Sequence, residues 1–98
     1  MTTKDRIYTL TSDKEIIKYI LAATACFAHL RYAKVRNLTK EQIDICVRDA
    51  VDSAAKRTKR TYDATYTLLE KYGIITPIWG MTEKEAQTIL WRGRLELI

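Results

Sequence analysis

Apolar residues recur at three- and four-residue spacing along most of this chain, in runs opened by a hydroxyl residue. Ile16, Ile17, Ile20, Leu21, Thr24, Phe27 and Ala28 form the first run and predict a helix from about Asp13 to Arg36. Asn37-Leu38 marks a short break. Ile43, Cys46, Val47, Ala50, Val51 and Ala54 are the buried stripe of a second helix, and Asp44/Arg48/Asp52 and Asp52/Lys56 fall at i,i+4 on its solvent side. Tyr62, Tyr66 and Leu69 continue as a third ladder within Thr58–Tyr72. A last helix is expected from about Glu83 to Trp91.

Ser12 with Glu15, Thr39 with Gln42, and Thr82 with Glu85 each fit S/T-x-x-E/Q. In that pattern the hydroxyl accepts the third helical N–H, and the longer side chain reaches back to the cap's own N–H. No Gly or Pro separates the second and third ladders. Two readings stay open: a turn near Lys56–Thr58, or one helix from Thr39 to Tyr72, about 50 Å long at 1.5 Å per residue. Gly73 suits a C′ position of positive φ. Ile74–Gly80 suits a short extended segment with a turn.

The 98 residues make a single helical domain, with 1–11 as an N-terminal arm and 92–98 as an apolar–basic tail. The apolar run Ile16–Leu30 is too short for the roughly 20 residues of a membrane span, and Lys18 interrupts it. It reads as a buried helix, and no membrane association is expected. No signal peptide is visible. Cys26 and Cys46 form no CxxC pair and have no His at metal-ligand spacing, which fits reduced thiols in the cytoplasm. Neither a Gly-rich phosphate loop, a nucleophile elbow nor a His–acid pair is present. The expectation is therefore a non-enzymatic protein without metal or cofactor.

The net charge is +5, from 17 Lys+Arg against 12 Asp+Glu, which favours polyanionic partners. Four of the cations, Lys56, Arg57, Lys59 and Arg60, fall within five residues at the head of the third ladder. A solvated basic surface explains them as well as a binding face does. The tyrosines Tyr62 and Tyr66 fall on the ladder and read as core packing.

The segment Thr58–Ile75 resembles the recognition helix of winged helix-turn-helix regulators. Thr58, Thr61, Tyr62, Tyr66, Leu69, Glu70, Gly73, Ile74 and Ile75 match that family's spacing, and Met81-Thr82-Glu83-Lys84 resembles its resumption after the wing. The resemblance covers about a third of the chain. The usual Ala-x-x-x-Gly before the recognition helix is replaced by Ala-Ala-Lys-Arg, Tyr66 stands for a Leu, Asp63 adds a negative charge, and Thr76–Gly80 leaves room for a minimal wing at most.

The resemblance implies an all-α or mainly α fold of three to four helices and a small DNA-binding regulator. Lys59, Arg60, Thr61, Ala64 and Thr67 are then the residues for base edges, and Lys56, Arg57 and Thr58 those for phosphates. Double-stranded DNA is the expected partner. Trp79 and Trp91, which flank the last helix, read as covering the core edge, with a dimer contact as the functional option, and Leu95, Leu97 and Ile98 of the tail point to the same contact, so a homodimer is expected. The alternative is a helical protein–protein interaction or assembly module without nucleic-acid binding. A turn before the third ladder favours the first, and an unbroken helix the second.

Overall fold

The computed structural model describes residues 10, 12–33, 36–76 and 80–97. Trp79 and most of the N-terminal arm lie outside the described residues. Among the described residues, four helices form an all-α fold: α1 (Asp13–Tyr32), α2 (Lys40–Thr58), α3 (Tyr62–Lys71) and α4 (Glu83–Glu96). Among the described residues, the only extended pairing is an isolated antiparallel bridge between Thr76 and Gly80.

The three expected caps are all in place. Ser12, Thr39 and Thr82 are N-caps in extended backbone, and each accepts the N–H three residues on. Thr39–Gln42 and Thr82–Glu85 are complete capping boxes, which satisfy two otherwise orphaned donors each. α1 stops at Tyr32 rather than Arg36, because Ala33 turns into the left-handed region at φ 57°. Leu38 then drops into the core, and its carbonyl accepts Gln87 Nε2 at 3.0 Å.

The core is built around α1. Ile16, Ile20 and Leu21 pack with Ile43, Val47 and Val51 of α2, Leu69 of α3, Ile75, and Ile89 of α4. The only buried polar side chains among the described residues, Thr24 and Thr65, donate to Ile20 O and Thr61 O one turn back, so neither hydroxyl is orphaned.

α4 does not end at Trp91. It continues through Gly93 to Glu96, so most of the expected tail is helical. The reason is steric. Gly93 meets α1 at Leu21 and Ala25 so closely that a bare Cα is needed there. A glycine that reads as a breaker is instead the contact point between two helices.

Glu85 fastens the start of α4 to the bridge. Its carboxylate accepts Thr82 N–H at 2.9 Å and Thr76 Oγ1 at 2.7 Å. Desolvation pushes this carboxyl up, but the hydrogen bonds from Thr82 and Thr76 outweigh it and hold it below its ordinary 4.5. A carboxyl depressed in the folded state stabilises fully above its unfolded pKa, and that contribution fades as pH falls through the folded value. Glu85→Gln should therefore lower stability at neutral pH. In urea melts at a series of pH values, the gap to the wild type should close on acidification. A gap constant with pH would deny the carboxylate this role.

Candidate nucleic-acid interface

The chain breaks between α2 and α3 at Lys59-Arg60-Thr61. α2 runs to Thr58, whose Oγ1 donates back to Ala54 O at 2.8 Å instead of capping a new helix. The cap of α3 is Thr61, which accepts Ala64 N–H at 3.1 Å. The helix expected from Thr58 thus starts three residues later, and the long continuous helix is excluded.

Lys59 makes the turn. It sits at φ 57°, ψ 34°, with its N–H bonded to Ala55 O, and Arg60 N–H reaches the same carbonyl at 3.0 Å. This is the closure a glycine at C′ usually provides. Lys59 thus occupies the left-handed position that ends α2, where glycine is the usual residue. A left-handed L-residue costs about 1–2 kcal/mol.

α3 closes with a Schellman motif. Gly73 at φ 73° lets Ile74 N–H reach Leu69 O at 2.8 Å and Gly73 N–H reach Glu70 O at 3.1 Å. Its buried residues are Thr65, Leu68 and Leu69. The Tyr62–Tyr66–Leu69 ladder is accordingly rotated: Tyr66 is half-buried, and Tyr62 is 37 % exposed rather than core. The two rings stack with centroids 6.0 Å apart. Burial pushes both phenols above their ordinary 10.0, so both are neutral donors at pH 7. Together with Arg48, Asp63, Thr67 and Glu70 they line an open cleft of about 440 Å³.

Thr61, Ala64 and Thr67 are exposed along α3, as is Asp63. The cations lie before the helix, not on it. Lys59 is exposed in the turn, and Arg60 is 3.6 Å from Asp13 at the start of α1. Arg57 lies over the Tyr19 ring at 5.1 Å, and Tyr19 Oη is 2.6 Å from Ser53 Oγ. Lys56 pairs with Asp52 at 3.0 Å on the exposed side of α2, a link worth under about 1 kcal/mol.

The anchors Asp13 and Tyr19 carry no signal in the sequence, since they come from α1, far along the chain. Asp13 also accepts Tyr72 Oη at 3.0 Å, and this bond raises the Tyr72 phenol above its ordinary value.

Comparison with family models, characterised proteins and solved structures gives no match for this chain. Among the described residues, no helix is long and apolar enough to cross a membrane.

Proposed function

We propose that this protein binds double-stranded DNA with a helix-turn-helix made of α2, the Lys59–Thr61 turn and α3, and acts as a transcriptional regulator. The observation that carries the reading is the turn itself. It ends α2 on a left-handed residue, restarts the chain on a threonine cap, and leaves one side of a short helix exposed. In this reading Lys59 and Arg60, placed ahead of the cap, reach phosphates beside the groove. Thr61, Ala64 and Thr67 face base edges, and Asp63 can accept from a cytosine amino group. Lys56 and Arg57 flank the turn as further phosphate contacts, and Thr58 supports them by closing α2.

The bridge between Thr76 and Gly80 serves as a minimal wing. Trp91, Leu95 and Leu97 are large apolar side chains left exposed on and just after α4, with Trp91 at 57 %, and they support a homodimer. The free thiols Cys26 and Cys46 support a reducing, cytoplasmic setting.

One observation favours a second reading, a protein–protein interaction module. Asp63 and Glu70 give the cleft on α3 an acidic rim around two stacked tyrosines, which suits a basic partner side chain.

Both readings meet in one titration. The variant Lys59→Gly/Arg60→Ala removes two cations and relieves the left-handed strain at position 59, so its melting temperature should hold or rise. Its duplex affinity should fall, and the slope of log K against log salt should shrink by about 1.8, or about 0.9 for each lost phosphate contact. Unchanged affinity and slope would remove the turn from the interface. No duplex binding by the wild type at low salt would rule out the DNA reading and leave the interaction module.

A further inference from the structure

Two of the four cations of α2, Arg48 and Lys56, are ion-paired within the fold. Arg48 pairs with Asp44 at 3.0 Å, Lys56 pairs with Asp52, and Asp49 takes Arg31 of α1. The surface between α1 and α4 differs. α4 runs back along α1, so that Arg92 comes beside Lys14 and Lys18. These three line an open groove of about 350 Å³ with Tyr72 and the isoleucines Ile17 and Ile74. None of the three has an ion-pair partner among the described residues. Lys71 adds a fourth charge, with Nζ 5.5 Å from the Tyr72 ring centroid. Glu96 is the one carboxylate among the described residues that line the groove.

The groove adjoins the turn. The Asp13 carboxylate holds Arg60 of the turn on one oxygen and Tyr72 of the groove on the other. Lys59 and Arg60 therefore continue into Lys14, Lys18 and Arg92 as one cationic strip, in which Arg60 is held by Asp13 while Lys59, Lys14, Lys18 and Arg92 have no ion-pair partner among the described residues.

We propose that this groove is a second backbone-binding site, in which Lys14, Lys18 and Arg92 hold phosphates of the same DNA duplex engaged by the Lys59–Thr61 turn. The assignment rests on the DNA reading above. The unpaired Lys14, Lys18 and Arg92 suit a polyanion with regularly spaced charges, because each neutralised phosphate releases a condensed counterion. Such contacts set affinity and register and carry no sequence information. The isoleucine floor and the Tyr72 ring offer an apolar surface to the sugars between phosphates.

The test is the salt dependence of binding by the full chain to a random-sequence duplex, with Lys14→Gln/Lys18→Gln/Arg92→Gln compared with the wild type. All three side chains are exposed, so the fold should survive, which a thermal melt verifies. The triple variant should lose about 2.7 from the slope, and its affinity should fall at least about tenfold at fixed salt. The loss should be the same on every duplex sequence. If the wild type binds duplex and the triple variant keeps its slope, the groove proposal fails while the turn reading stands. If the wild type binds no duplex, both fail. Weakened binding to phosphatidylserine vesicles with duplex binding unchanged would assign the groove to a membrane surface and overturn the proposal.

Discussion

Replacing Gly93 with Ala should destabilise the protein by about 3 kcal/mol or more, the upper end of what overpacking costs. The sign is the informative part. In an exposed helix interior, Gly→Ala gains up to about 1 kcal/mol, because alanine has the better helix propensity. At Gly93 a Cβ would sit 2.1 Å from Leu21 O, 3.0 Å from Leu21 C and 3.1 Å from the Ala25 Cβ. Two of these atoms are backbone in the middle of α1, so no rotamer change relieves the clash. The helices must separate, and that loosens Ile20, Leu21, Ile89 and Leu90, all of which are buried. For a domain of this size the loss corresponds to a drop in melting temperature of more than about 10 °C. Gly73→Ala is the matched control. Nothing lies within 4 Å of its Cβ, so it meets only the strain of positive φ, about 1–2 kcal/mol. If the melts show Gly93→Ala to be no worse than Gly73→Ala, the close crossing of α1 and α4 is wrong.

Gly93 also shows what a sequence conceals. A glycine near the end of an apolar pattern reads as a stop, since nothing local says that another helix passes against it. The cap residues were legible because capping is local: Ser12, Thr39 and Thr82 declare themselves with an acid or amide three residues on. Thr61 has Ala64 in that place, so it forms no box and could not be told from Thr58. The turn was hidden for a related reason. Its left-handed residue is a lysine, which has no preference for positive φ. The stripe of α2 was readable because seven of its residues are deeply buried at regular spacing, whereas α3 is short enough for one aromatic at its start to mislead the phase. The cations of the candidate interface were legible by type. Their groupings were not, since Arg60–Asp13, Arg57–Tyr19 and the Lys14–Lys18–Arg92 groove are all made by elements distant in sequence.

α3 is the element on which the functional reading depends, and Leu69→Ala should release it. A helix of 10 residues is too short to persist alone in water, where isolated helices below about 12–15 residues are marginal. Its order must come from docking through Thr65, Leu68 and Leu69, and Leu69 is the most deeply set of its apolar side chains at 1 % exposure. Truncation to Ala leaves a cavity and should cost about 2–5 kcal/mol. The Leu69 carbonyl, which accepts both Ile74 and Ile75 N–H, remains in place, so the Schellman closure itself is not removed. The loss therefore falls on docking rather than on the turn. Hydrogen exchange should then show the α3 amides opening well below the free energy that exposes the α1 and α2 cores, as expected of a locally unfolding unit. Duplex binding should weaken in proportion to the fraction of molecules with α3 undocked, while the Lys59–Arg60 charges stay on the chain. If the variant bound duplex as the wild type does, with α3 exchange accelerated, binding would rest on the cationic strip alone and α3 would have no part in it.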